Sequence, residues 1–120
     1  MRPAADHART GRYGSAVTAA EFFAMLPSRF DPAAAAGVSS VIQFELSGDG
    51  GGTWNVVIAD GRCAVAEGPH SDPTLVVMAS ADNWMKVVAG NLDPQFAFVT
   101  GRLKVRGDMG LALRLRALFL

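Results

Sequence analysis

Three aspartates (Asp82, Asp93 and Asp108), two histidines (His7 and His70), one cysteine (Cys63) and a glycine-rich run, SGDGGG at residues 47–52, are the residues of this chain whose types do chemistry. Paired carboxylates move protons, a histidine beside a thiol makes a nucleophile, and a glycine loop before a helix cradles phosphate. None of these arrangements is complete here. Each aspartate falls in the cap or first turn of a predicted helix, where a carboxylate satisfies free backbone N–H groups. The histidines are far apart, in loop-like contexts, with no second ligand at a metal-binding spacing. The glycine run lacks the Gly-Lys-Ser/Thr ending and lies between two predicted strands, which makes it a hairpin turn. Cys63 has no neighbouring base and reads as a small buried apolar residue, and a single cysteine excludes an internal disulfide. No metal, no cofactor and no enzymatic activity are expected.

The elements that hold these residues are legible from local signals. Thr18 and Glu21 form a capping box, with Val17 and Phe22 at the positions of a hydrophobic staple. The helix they open carries Phe22, Phe23, Met25 and Leu26 and is expected to stop at Pro27. A short second helix is expected from Asp31-Pro32 to Gly37. Ile42, Phe44 and Leu46 alternate with polar or small partners, as do Trp54, Val56 and Ile58, which is the period of half-buried strands. Asp60-Gly61 is a hairpin signal leading to a third strand with Cys63 and Val65 on one side, so the first three strands form an antiparallel meander. Residues 74–79 are apolar on both faces and fit a strand that is central or covered on both sides. Ser80 caps a helix bearing Trp84, Val87 and Val88, closed by Gly90. Asp93-Pro94 opens another helix with Phe96 and Phe98, ending at Gly101. Leu103 and Val105 mark a last strand, and Asp108 caps a final helix. This order is α+β: one sheet with helices gathered over one face.

Composition narrows the class further. The chain has 120 residues, half of them hydrophobic, and a formal net charge of zero, which argues against general nucleic-acid binding. Residues 1–16 have no periodicity and read as a flexible arm, and residues 17–120 as one domain. The N-terminus lacks the apolar core of a secretory signal, and no apolar run approaches the roughly 20 residues of a membrane span. The expected location is cytoplasmic. The final helix is the exception to an ordinary surface pattern. From residue 109 to 120 its only charges are Arg114 and Arg116, and its apolar side chains point in nearly every direction. A ligand, a membrane or a partner would complete its surroundings.

The run GNLDPQFAFVTGRLKVRGDMGLAL, from residue 90 to 113, resembles the sterol carrier protein type 2 (SCP-2) lipid-transfer family. The resemblance rests on Gly90, Asp93, Pro94, Ala97, Phe98, Gly101, Arg102, Leu103, Gly107, Asp108 and Met109, in gap-free spacing. FFAMLPSRFDP, VIQFELSG and GGTWNVVIADG match the family's first helices and first hairpin more weakly, so the resemblance covers about residues 19–120. It implies a five-stranded, mostly antiparallel sheet with about five helices on one face, enclosing an apolar cavity that the C-terminal helix covers.

The resemblance further implies a lipid carrier for a fatty acid, an acyl-CoA, a phospholipid, or a sterol-like or isoprenoid molecule. No polar residue stands out to receive a sterol hydroxyl. Candidate lining residues are Trp84 and Val88, Phe96 and Phe98, Leu103 and Val105, and Met109, Leu111, Leu113 and Leu115, with Phe44 and Val56 as a floor. Each of them also fits ordinary core packing. Gly107 and Gly110 flank the start of the last helix, as a hinge for lipid uptake or as a tight strand-to-helix turn. Arg102, Lys104 and Arg106 read first as a solvated strand face, while Arg114 and Arg116 are open to acidic membrane lipids or acyl-CoA phosphates. Transient membrane contact and a monomeric or homodimeric state are expected. The rival reading is a protein-interaction or dimerisation module that uses the apolar final helix without transport.

Overall fold

The computed structural model describes residues 18–119, the side chains of Arg116 and Phe119 excepted. The arm expected at residues 1–16 and the staple residue Val17 lie outside the described residues. The elements run α1 (Ala19–Arg29), β1 (Ser40–Ser47), β2 (Gly52–Ala59), β3 (Arg62–Glu67), β4 (Leu75–Ser80), α2 (Ala81–Val88), α3 (Pro94–Val99), β5 (Leu103–Gly107) and α4 (Met109–Phe119). The five strands make one sheet in the order β3-β2-β1-β4-β5. Every adjacent pair is antiparallel except β1 with β4, which is parallel.

The α+β class, the meander and the two-sided burial of β4 are as the sequence predicts. Leu75, Val76 and Val77 are all buried because β4 is an inner strand. Two helix boundaries differ. α1 runs through Pro27 to Arg29: the missing N–H leaves one carbonyl without its helical partner, yet Phe30 still donates to Leu26 O at 2.9 Å and closes the last turn. Residues 32–37 are turns rather than a helix, and among the described residues four helices stand where about five are expected. Asp31 Oδ1 accepts from the N–H groups of Ala33 and Ala34, and the bonds that follow, Ala35 N to Pro32 O and Val38 N to Ala35 O, span only three residues. So short a segment gains too few bonds to offset helix nucleation.

Alternation sorts the sheet into two faces. Ile42, Phe44, Leu46, Trp54, Val56, Ile58, Leu75, Val77 and Leu103 share the inner face, under α1, α2 and α4. α1 lies over β3, α2 over β1 and β4, and α4 over β4 and β5. The connection from β3 to β4 must pass β2 and β1, and it does so on the outer face. Asn55 Nδ2 donates to Gly68 O at 3.0 Å, and Gln43 Oε1 accepts from His70 N at 2.9 Å. These bonds account for two buried amides on an otherwise half-open face.

Candidate functional site

The space between sheet and helices is closed by aromatic rings. Phe22 and Phe23 are consecutive on α1, so they point about 100° apart and reach different partners. Phe23 stacks on Trp54 at 4.6 Å and meets Phe44 edge-on at 5.0 Å, while Phe22 meets Trp84 at 5.8 Å. Trp84 in turn lies 5.2 Å from Phe44. Two helices and two strands are thus joined through five rings. The capping box is the reason α1 begins where it does: Thr18 Oγ1 accepts from Glu21 N at 3.1 Å, and the Glu21 side chain returns to Thr18 N at 3.2 Å.

Eight of the twelve candidate lining residues turn toward this layer. Phe44, Val56, Trp84, Leu103, Leu111 and Leu115 are buried, and Val88 and Val105 are half-buried against them. The other four stand outside it. Phe96 is 53% exposed, Phe98 48%, Met109 47% and Leu113 80%. Helical angles explain this division. α3 buries Ala97 alone, so its two neighbours swing away on either side. On α4 the inward stripe is Leu111, Leu115 and Leu118, and Leu113 falls nearly opposite. The sequence reading passed over Phe22, Phe23 and Trp54 as part of this layer. Their signal was there in the capping box and in the strand alternation that aligns Trp54 with Val56.

α4 covers this layer where it passes over β4 and β5. Besides its leucine stripe, Arg114 Nη2 donates to Ala34 O at 2.9 Å and Leu118 O accepts from Asp31 N at 3.3 Å. Asp108 Oδ1 caps it through Leu111 N at 3.1 Å. Asp93 caps α3 in the same way, through Phe96 N at 3.0 Å, and Asp82 pairs with Lys86 at 3.0 Å. The three aspartates are therefore structural. Among the described residues no three His, Cys, Asp or Glu side chains gather to hold a metal ion, and no helix is long and apolar enough to cross a membrane.

Two of the surface concavities lie at the end of the sheet and beside α2. One, of about 430 Å³, lies at an end of the sheet beside Glu45, Ser47, Met78 and Lys104. The other, of about 280 Å³, opens between α2 and α3, with Val87, Val88, Leu92 and Pro94 inside it and Asn91 and Asp93 among its polar residues.

Cys63 faces the inner side of β3 opposite Ile58, and burial pushes its thiol up to about 11. At pH 8 its alkylation by iodoacetamide, followed by mass spectrometry, is expected to run roughly a hundredfold slower than for an unburied thiol. Alkylation at the rate of a free thiol would place Cys63 in solvent. The folded state holds this proton to higher pH than the unfolded chain does. Its contribution to stability is therefore complete below about 9 and fades as pH rises toward 11.

Comparison with known proteins fits this geometry. The sequence model of the SCP-2 sterol transfer family matches residues 23–120. The chain is 42% identical over 80 residues to hydroxysteroid dehydrogenase-like protein 2 of Bos taurus, covering 66% of this chain and 19% of that protein. The chain thus spans about a fifth of the length of that curated relative. Among solved structures, a stereoselective inverting sec-alkylsulfatase from a Pseudomonas species superposes with a TM-score of 0.74 at 22% identity, covering 89% of this chain and 17% of that one. A palmitated SCP2L2 from Aedes aegypti superposes with a TM-score of 0.66 at 20% identity, covering 84% and 93%.

Proposed function

The chain belongs to the SCP-2 sterol transfer family, and from that membership we propose that it carries a hydrophobic molecule between its sheet and its helices without changing it covalently. The observation that carries this reading is the inner layer itself. Aromatic and aliphatic side chains line it, α4 covers it with Leu111, Leu115 and Leu118, and every described Lys and Arg lies outside it. Burying a methylene group stabilises by about 0.8 kcal/mol, so a long acyl chain brings on the order of 10 kcal/mol before the cost of association. Fatty acids, acyl-CoA, phospholipids and sterol-like or isoprenoid molecules all meet that requirement. The palmitated relative of the same fold supports a fatty chain as one occupant.

The exposed residues of α3 suit a membrane surface. Phe96, Phe98 and Val99 (81% exposed) project from it, and the Arg102 guanidinium lies 5.6 Å above the Phe96 ring. Lys104 and Arg106 continue the basic character along the edge strand β5. Apolar tips among cations match the interface of an anionic bilayer.

One experiment tests both parts. Delipidated protein is mixed with phosphatidylcholine vesicles carrying palmitic acid, with or without phosphatidylserine, and read by native mass spectrometry. One palmitate per chain is expected, gained faster from the anionic vesicles. Protein still ligand-free at micromolar palmitate would sink the carrier reading, and equal rates would sink the membrane contact. The dimerisation reading draws on the exposure of Leu113. If it holds, Leu113→Arg converts a homodimer to a monomer in the same spectra, while the palmitate load is unchanged.

A further inference from the structure

We propose that the indole N–H of Trp84 donates a hydrogen bond to an uncharged oxygen of the carried molecule: an ester or ketone carbonyl, or a hydroxyl. This rests on the carrier reading above. Trp84 is 2% exposed, and its Nε1 is buried with no hydrogen-bond partner; among the described residues it is the one buried side-chain nitrogen or oxygen in that state. A tryptophan nitrogen can only donate, and folded proteins rarely leave a buried donor without an acceptor. The rings beside it, Phe22 and Phe44, offer no oxygen.

The location suits a ligand. Val87 and Val88 follow Trp84 by one helical turn on the same side of α2, and both line the 280 Å³ cleft between α2 and α3. Trp84 thus stands one helical turn from residues of that cleft. The charge of its oxygen is set by what surrounds the site. Every described Lys and Arg is exposed, so a carboxylate at Trp84 would be buried without a cation, at a cost that one neutral donor does not offset. An uncharged oxygen has no such requirement. A fatty acid would therefore keep its carboxylate at the surface, and a neutral lipid would seat its oxygen inside.

The test compares wild type with Trp84→Phe, which keeps a ring and removes the donor. Radiolabelled methyl palmitate and hexadecane are each offered from phosphatidylcholine vesicles, and the label carried by the protein is counted. The variant is expected to take up about five- to tenfold less methyl palmitate, with hexadecane unchanged, as the loss of one neutral hydrogen bond implies. Equal uptake of both probes by both proteins overturns the role of Trp84 and leaves the carrier reading standing. Wild type that takes up neither probe overturns the carrier reading, and this proposal with it. Should the variant fail to fold, the wild-type indole proton decides by NMR, with Trp54 as internal reference. A downfield shift with methyl palmitate and none with hexadecane is expected, and an unmoved Trp84 proton under saturating ester overturns the proposal.

Discussion

Phe23→Ala lowers the stability of the folded state by about 3–5 kcal/mol, the range for removing a buried ring and leaving its cavity. For a domain of this size that is a fall of roughly 10–20 °C in Tm, read by calorimetry or urea titration. The size of the effect follows from what Phe23 touches. It is 1% exposed, stacked on Trp54 and edge-on to both Phe22 and Phe44. Its removal therefore unfastens α1 from two strands at once, and the rigid neighbouring rings cannot collapse into the gap. Phe96→Ala is the matched control, since that ring is half outside, and it shifts stability by under about 1 kcal/mol. A loss at Phe23 no larger than at Phe96 would mean that the layer repacks freely.

Gly107→Ala is expected to destabilise by about 2–5 kcal/mol, from backbone strain together with overpacking. Gly107 has φ +115°, a conformation that L side chains rarely adopt, and it pairs with Leu75 where β5 meets β4. A Cβ there would run into the Thr74 carbonyl oxygen and stand 3.1 Å from Leu75 Cα. The same carbonyl accepts from Asp108 N at 3.0 Å, so the collision falls on the corner that launches α4. Gly61→Ala separates strain from collision: its φ is +72°, with open space around the added carbon, and it loses only about 1–2 kcal/mol. Hydrogen exchange gives a second reading, because Gly107→Ala should strip protection from Leu111 and Leu115 while the amides of β1 and β2 keep theirs. If the two glycine variants behave alike, the corner tolerates a side chain. The alternative of a free hinge at Gly107 would then regain its footing.

What the sequence made legible is what depends on neighbours along the chain. The capping box at Thr18 and Glu21, the aspartate caps of α3 and α4, the hairpin at Asp60-Gly61 and the alternation around Phe44 and Trp54 are all local, and all are present. The expected stop at Pro27 failed because a proline removes one donor but leaves later donors free to bond. The expected helix after Asp31 failed because a good start signal does not supply length. The candidate site was legible as a composition of apolar residues but only partly as a placement. Whether Phe96 or Ala97 turns inward depends on how a six-residue helix sits on its neighbours, and both choices read alike in the chain. The buried amides of Gln43 and Asn55 were illegible for the opposite reason: their partners, His70 and Gly68, are 27 and 13 residues away. The lone donor on Trp84 was hidden as well, because a missing partner is known only when the whole surroundings are known.

The single parallel seam between β1 and β4 also sets an order of events during synthesis. The meander of β1, β2 and β3 needs only local hairpins and can pair as soon as those residues leave the ribosome. Its inner face nonetheless stays bare on one flank until the crossover reaches β4, more than thirty residues after β1 begins, as the pairing of Ile42 with Leu75 requires. β5 and α4 come later still, and α4 is the element that closes over β4 and β5. Until α4 is made, a nascent chain therefore passes through the stage of a half-covered apolar trough.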